Sequence, residues 1–362
     1  MKSVLIGVGQ AGGKLAQAMA DFDSRASFGA VLDALAVNSA KPDLQELSID
    51  TMLVGQSRVN GHGVGGDNEL GSRVMQEDVG EVLSALDGRV TAEAEAVFVV
   101  AGLGGGTGSG GAPVLVKELK RIYDVPVYVL GVLPGRSEGA MYQVNAGRSL
   151  KTVAREADGV LLVDNDAWQS ADESVSEGYE AVNEAIAQRF GLLLAAGEAV
   201  EGVGESVVDT SEIINTLRSG SIAALGYASA AAADDASENV TTTTSVVRRA
   251  LLSGSSLPDA VEASAALLVV AGNPDVVPRK GVERARRWVE SETGSMEVRG
   301  GDFPLDSDNL AALVLLSGLE GTDRVDAFLE RARLAAEETA EVEEAAPDQT
   351  EIWQNERIDD LL

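Results

Sequence analysis

Gly104-Gly105-Gly106-Thr107-Gly108-Ser109-Gly110 stands between an apolar run, Ala96 to Ala101, and a helix-like run that begins near Ala112. A strand, a glycine turn and a helix in that order leave the chain few choices. Five of the seven residues carry no Cβ, so the backbone can press against a ligand. Successive N–H groups then converge where a helix dipole already favours negative charge. Thr107 and Ser109 add hydroxyl donors. The heptad reads as a phosphate cradle, without the Gly-Lys-Ser/Thr ending of a Walker A loop. A flexible linker would have polar, unpatterned flanks, whereas these flanks are apolar and periodic.

The rest of the first half alternates in the same way. Val4-Leu5-Ile6 is a short strand, followed by a glycine turn and a helix-like stretch from Lys14 to Phe22. Leu35-Ala36-Val37 is a second strand ending at Asn38-Ser39. A glycine-rich loop over 61–66 leads into helix-like residues 69–86. A helix over about 112–122 and strands at Val127 to Leu133 and Leu161 to Val163 follow. Such alternation predicts an α/β domain with a mainly parallel, Rossmann-like sheet. Ligands of such sheets lie at the carboxyl ends of the strands.

Residues 173–198 read as one long helix, with Tyr179, Val182, Ile186, Phe190 and Leu193 at three- and four-residue steps. Gly202 and Gly204 end it. A smaller α/β region follows, with a helix over about 210–226 and strands near 242–247, 265–271, 295–299 and 310–317. Helices near 281–291 and over 323–343 complete it, the second turning acidic before Pro347. The expected organisation is a nucleotide domain at 1–172, a linking helix and loop at 173–205, a smaller domain at 206–335, and an acidic linker with an amphipathic tail at 336–362. The tail's Ile352, Trp353, Ile358, Leu361 and Leu362 suit either a partner-docking or self-association peptide or plain disorder.

Charge narrows the setting. The chain of 362 residues carries 58 acidic against 28 basic residues, a net charge of −30. Lysine is scarce and the acids are dispersed. Such a surface repels nucleic acid and anionic membranes. It suits a cytoplasm rich in potassium chloride, where the Debye length shrinks to ~3 Å at 1 M. No apolar run approaches the ~18–20 residues of a membrane span, and the opening MKSVLIGVGQ lacks a signal-peptide pattern. There is no cysteine, which excludes disulfides and thiolate metal sites. A cytoplasmic protein with no direct membrane insertion is expected.

Gly7-Val8-Gly9-Gln10-Ala11-Gly12 also satisfies G-x-G-x-x-G after a strand. Alone it would suggest a dinucleotide-binding dehydrogenase, which needs an Asp or Glu about 20 residues on, at the end of the second strand. Here that strand ends at Asn38-Ser39. A second, richer glycine loop is also left over. Two phosphate-facing loops fit a nucleoside triphosphate better than NAD.

With GGGTGSG at 104–110 and GQAGG at 9–13, the chain resembles the tubulin/FtsZ superfamily over roughly residues 1–330. The opening KSVLIGVGQAGGKLAQ, the acidic balance and the scarcity of lysine look most like its archaeal CetZ branch, associated with cell shape. The resemblance implies GTP or GDP with Mg2+, head-to-tail polymerisation of the chain with itself, and hydrolysis completed by the next subunit. That is a cytoskeletal GTPase. A GTP-binding regulatory homologue without efficient turnover stays open.

The resemblance also assigns residues. Gly9, Gln10, Ala11, Gly12, Gly13 and Lys14 match the first phosphate loop, and Gly104, Gly105, Gly106, Thr107, Gly108, Ser109 and Gly110 the main cradle. Asn38 is placed with the nucleotide contacts. Gly65 and Gly66 fall in the loop that senses the γ-phosphate. Asp67 there either orients a magnesium-bound water or caps the next helix. Glu138 matches the ribose-contacting acid, against a plain surface turn. Asn165 is expected at the sugar or base edge. Tyr179 and Asn183, four apart on one helix face, match guanine stacking and edge reading; from the residues alone, a core tyrosine and a solvated asparagine fit as well. Asp209 and Glu212 match the two acids that act on the neighbour's GTP, and their spacing equally fits a capping box. Val207 stands where FtsZ usually carries Asn. His62, the only histidine, has no partner for a metal site.

Overall fold

The computed structural model describes residues 1–168, 175–198, 208–319 and 322–345. β1 (Ser3–Val8) is buried along its whole length, and its alternate residues serve opposite cores: Val4, Ile6 and Val8 in one, Leu5 in the other. A strand apolar on both faces belongs inside a parallel sheet covered on both sides. The chain continues through α1 (Gly9–Ala26), β2 (Val31–Asn38), α2 (Lys41–Gln45), β3 (Asp50–Leu53), α3 (Gln56–Val59), α4 (Asn68–Ala85), β4 (Ala96–Gly102) and α5 (Gly106–Ile122). Then come β5 (Val127–Leu133), α6 (Ala140–Glu156), β6 (Gly159–Asp164), a 3₁₀ turn (Asn165–Ala167) and α7 (Val175–Ala196). The second half holds α8 (Thr210–Leu217), β7 (Ile222–Ala231), α9 (Asn239–Leu252), β8 (Ala265–Gly272), α10 (Arg279–Thr293), β9 (Glu297–Pro304), β10 (Asn309–Ser317) and α11 (Asp323–Ala345).

All the strands join one sheet in the order β3-β2-β1-β4-β5-β6-β7-β10-β8-β9. β1 to β6 run parallel, and β10 lies antiparallel between β7 and β8. β6 meets β7 only at Val160–Ile222 and Leu161–Ala223, a short seam between the two halves. α1 and α7 cover one face through Leu15, Met19, Val182, Ile186 and Phe190. α4, α5 and α6 cover the other through Val74, Met75, Leu115, Leu119, Leu150 and Val153. This is the expected α/β plan: a parallel-sheet half, a long helix, and a smaller α/β half. The loops that leave β1, β4, β5 and β6 emerge at one end of the sheet, and the residues that enter those strands lie at the other.

Two stretches differ from the sequence reading. Residues 242–247, expected as a strand, lie inside α9. Their threonines and valines favour strands locally, yet Asn239, Thr243, Val246, Val247 and Ala250 are buried at helical spacing. Thr243 and Thr244 spend their hydroxyls on the carbonyls four residues back, at 2.9 and 3.1 Å. The helix expected over 210–226 stops at Leu217, and residues 222–231 form β7. Alanine-rich IAALGYASAA is a poor strand former, but pairing with β10 along its length overrides propensity. Helix α6 and strand β3 carried no signal strong enough to be read.

Candidate nucleotide site

Each glycine loop turns directly into a helix. Gly9 opens α1 with φ +76°, and Gly105 precedes α5. Neither helix has a side-chain cap or an acid in its first turn. By contrast, α4 and α8 are capped by Asp67 and Asp209. Gly106, Thr107 and Gly108 are buried at the α5 terminus, where first-turn N–H groups have no intrahelical acceptor. A buried, uncapped helix start calls for an anion.

The glycines divide by what stands beside them. A Cβ on Gly108 would overlap the Gly102 carbonyl, and one on Gly9 would lie 2.9 Å from the Gly108 nitrogen. A Cβ on Gly106 would meet the Asp67 nitrogen at 2.9 Å, and one on Gly110 would overlap Asn68. These residues let the loops after β1 and β4 and the loop before α4 pack backbone to backbone. Gly105 and Gly65 have nothing within 4 Å on that side. The cradle therefore has packed glycines beneath and open glycines at its mouth, which is the room a polyphosphate needs.

Several of the expected site side chains have partners within the protein. Ser109 accepts from Asn68 Nδ2 at 2.8 Å and donates to the Gly106 carbonyl, and its N–H closes the first α5 turn on Gly105. Thr107 shares a proton with Ser39 at 2.7 Å. Both hydroxyls brace the cradle. Lys14 pairs with Glu46 at 3.1 Å on the outer side of α1. The N–H groups of Gly13, Lys14 and Gly110 lie beyond the first helical turn, where intrahelical bonding takes them up. The open donors come from Gly9 to Ala11 and from Gly106 to Gly108. Asn38 is buried and accepts from the Ser39 N–H at 2.8 Å while donating to Asp43 at 2.9 Å. Asp67 accepts from the Leu70 N–H at 2.9 Å, so the capping role is real.

Glu138 accepts from the Gly135 N–H at 2.7 Å, which curls the loop after β5. Gln143 of α6 donates to the Gly135 carbonyl at 2.7 Å. Asn165 is buried in the turn after β6. Asn183 is half-buried on α7, and the Tyr179 side chain and Val207 lie outside the described residues. Asn145 was not visible in the sequence. From α6 it donates to the carbonyls of Gly66 at 2.8 Å and Gly104 at 3.0 Å, tying two phosphate-facing loops together. Only its burial, at 5% exposure, marks it out.

Asp209 and Glu212 form the capping box their spacing suggested: Asp209 Oδ1 accepts from the Glu212 N–H at 3.0 Å, and the Asp209 N–H donates to Glu212 at 3.3 Å. The Ser211 hydroxyl holds the Asp209 carboxyl below its ordinary range, and burial raises that of Glu212. The pair is not at the cradle. Thr210 donates to Glu95, the residue before β4, at 2.9 Å. The cradle follows the other end of β4, a strand of seven residues, or about 20 Å at ~3.3 Å per residue.

Residues 2–172 match the family "Tubulin/FtsZ family, GTPase domain", and residues 172–334 match "Tubulin-like CetZ, C-terminal domain". The chain belongs to the tubulin/FtsZ family, in its CetZ branch. The tubulin-like protein CetZ2 of Haloferax volcanii is 70% identical over the full length of both chains. A solved structure described as CetZ2 from Haloferax volcanii in a GTPγS-bound protofilament superposes with a TM-score of 0.91 at 70% identity, covering 94% of this chain and 100% of that one. CetZ1 from the same organism, a GDP-bound monomer, gives 0.86 at 48% identity, covering 93% and 100%. The open cradle and uncapped helix starts fit a guanine nucleotide of this family. No group of three or more acids or histidines that could hold a metal occurs among the described residues. A magnesium ion here would be held chiefly through phosphate oxygens and water. No helix among the described residues is long and apolar enough to cross a membrane.

Proposed function

We propose that this chain is a cytoskeletal GTPase that binds GTP at the cradle and polymerises head-to-tail with itself, each active site being completed by Asp209 and Glu212 of the adjoining subunit. One observation carries this reading: the acids and the cradle sit at opposite ends of the same strand, β4. A carboxylate pair about 20 Å away cannot serve its own nucleotide, but stacking one subunit on the next in the same orientation brings the two ends together. The protofilament formed by the similar CetZ2 supports that stacking. Met141 and Tyr142, 44% and 38% exposed beside Gly66 and Gly104, offer apolar contact at the mouth.

The residues divide the work. N–H groups at the α1 and α5 starts hold phosphate oxygens, and GTP with Mg2+ supplies the phosphoryl group. Glu138 and Asn165 hold the ribose and its base, while Asn183 reads the guanine edge with Tyr179 stacked beside it. Gly65 and Gly66 sense the γ-phosphate, and Asp67, which caps α4, would orient a magnesium-bound water there. Glu212, fixed by its cap, positions and polarises the attacking water. Phosphoryl transfer needs little beyond such positioning and charge stabilisation. Action in the cytoplasm, in control of cell shape, follows from family membership by analogy. Partner docking by the tail belongs to residues outside the described structure.

The capping box also supports the second reading, a GTP-binding homologue without efficient turnover, because the cap alone accounts for both acids. Phosphate release measured against protein concentration in molar KCl, with sedimentation in parallel, separates the two. Release per subunit that rises at the assembly threshold supports the GTPase. Assembly without release supports the binder, and a flat specific rate across the threshold defeats the shared site.

A further inference from the structure

The turn that carries Asn165 is held from outside the nucleotide half. Asp164, buried at the end of β6, makes an ion pair with Arg324 in the first turn of α11. The same guanidinium reaches Asp166 at 3.3 Å. Asp166 in turn accepts from the Arg136 backbone N–H at 2.9 and 3.1 Å and pairs with the Arg136 side chain at 3.4 Å. Arg136 lies in the loop that Glu138 curls. One guanidinium thus stands behind both sugar-end elements, the turn of Asn165 and the loop of Glu138.

The chemistry needs an arginine. Asp164 and Asp166 are neighbouring carboxylates, and the Asp166 backbone N–H donates to Asp164 Oδ1 at 3.1 Å. Burial pushes the Asp164 carboxyl up, to about 6, against the lowering pull of the Asp166 N–H and of the Arg136 and Arg331 charges. Arg324 is 12% exposed, so salt screens the pair far less than a surface one. A planar fork can hold two carboxylates at once, which a lysine ammonium does less well. The α11 backbone is fixed in turn against α6, where a Cβ on Gly147 would lie 2.7 Å from Ala332.

We propose that Arg324 is a positioning residue for the sugar-and-base end of the nucleotide, so that α11 sets nucleotide affinity without touching the nucleotide. This rests on the assignment of Asn165 and Glu138 to the nucleotide. Removing Arg324 leaves a buried carboxylate uncompensated beside a second one, and the turn and the loop part.

The test is GDP binding and release in the full chain at fixed molar KCl, for Arg324→Ala, Arg324→Lys, Asp166→Asn, Asn165→Ala and, as a surface control on α11, Arg333→Ala. Arg324→Ala should weaken GDP binding about tenfold, or about 1.4 kcal/mol, with faster release. Arg324→Lys should restore part of the loss, Arg333→Ala should bind normally, and Arg324→Ala with Asn165→Ala should lose less than the sum of the two. Folded Arg324→Ala that binds GDP within twofold of the unaltered chain, while Asn165→Ala is weakened, overturns the proposal alone. Asn165→Ala with unchanged affinity overturns the assignment beneath it and the proposal with it. If Arg324→Ala does not fold, the more exposed Asp166→Asn decides: weakened binding supports the relay, and unchanged binding defeats it.

Discussion

The Thr210 hydroxyl donates to Glu95 Oε2 at 2.9 Å, and this bond fixes the start of α8 beneath the entry to β4. It places the carboxylates of Asp209 and Glu212 at the end of the sheet away from the phosphate loops. Their roles as cap and as proposed catalyst can be separated by experiment, because a cap tolerates an amide and hydrolysis needs a charge.

Asp209→Asn and Glu212→Gln should therefore fold normally, since Asn caps about as well as Asp and Gln can close a capping box. Asp209→Ala should cost roughly 0.5–2 kcal/mol of stability. All three should bind GTP, and Glu212→Gln should release phosphate at least about tenfold more slowly, a barrier change of about 1.4 kcal/mol. Because burial raises the Glu212 carboxyl, its ionised form is lost at a higher pH than for an exposed glutamate. Turnover in the unaltered protein should accordingly climb with pH through that raised value, and Glu212→Gln should lack the climb. Normal phosphate release by Glu212→Gln inside filaments would leave the residue with capping alone.

Two glycines of the cradle should behave oppositely. Gly108→Ala drives a Cβ into the Gly102 carbonyl, which backbone cannot easily yield, and overpacking of this kind costs about 1–3 kcal/mol or more. Gly105→Ala meets nothing within 4 Å and sits at φ −73°, a conformation any residue accepts. It should melt close to the unaltered protein yet lose GTP affinity, because its methyl occupies the mouth. Calorimetry with nucleotide titration checks both. Full GTP affinity in Gly105→Ala would move the ligand away from that face.

Asn145→Ala should loosen two loops at once. It strips a hydrogen bond from the half-buried Gly66 and the buried Gly104 carbonyls, and a buried acceptor left without a partner, as at Gly104, costs roughly 1–3 kcal/mol. Lower stability with a raised Kd for GTP is expected, and bound GTP should recover part of the lost melting temperature. If the Kd is unchanged, the tie serves the fold only.

The two glycine turns were legible as strand-to-helix junctions because glycine there has a local cause: the N–H groups of a helix start and the room beside them. The directions of Thr107 and Ser109 were not, because Ser39 and Asn68 come to them from distant segments. Asn145 stood on a helix with no motif of its own, so nothing local distinguished it from a solvated residue. The misread strand at 242–247 shows the same limit. Threonine and valine report β-propensity, whereas burial of Thr243, Val246, Val247 and Ala250 against the sheet decides for the helix. The capping box at Asp209 and Glu212 was readable because both partners lie within one turn.

Stability should rise with KCl into the molar range. A net charge of −30 on 362 residues repels itself, and added salt screens that repulsion. Each kcal/mol gained lifts the midpoint by about 2–4 °C for a domain of 150–250 residues. The buried pair of Asp164 and Arg324 should keep its contribution at high salt, unlike the exposed pair of Lys14 and Glu46. Thermal scans across a KCl series measure this. A melting temperature highest below 0.1 M salt would show that repulsion among the acids is not what limits the fold.

Catalysis across the subunit boundary can be tested with the nucleotide held on one variant and the acids on another. Glu212→Gln keeps its cradle, so it can be loaded with GTP labelled at the γ-phosphate and freed of unbound nucleotide. Alone it should hold the label. Mixed with unaltered protein and an excess of unlabelled GTP, it enters filaments in which its labelled GTP faces an intact Asp209 and Glu212 from the neighbour. Labelled phosphate should then appear, and the unlabelled excess prevents released label from being rebound and cleaved elsewhere. If each subunit cleaved its own GTP, the label would stay intact or leave as GTP, whatever the unaltered protein did. The same mixture made with a variant lacking both acids should release nothing. A release of label that is independent of the added protein's acids would remove them from the reaction.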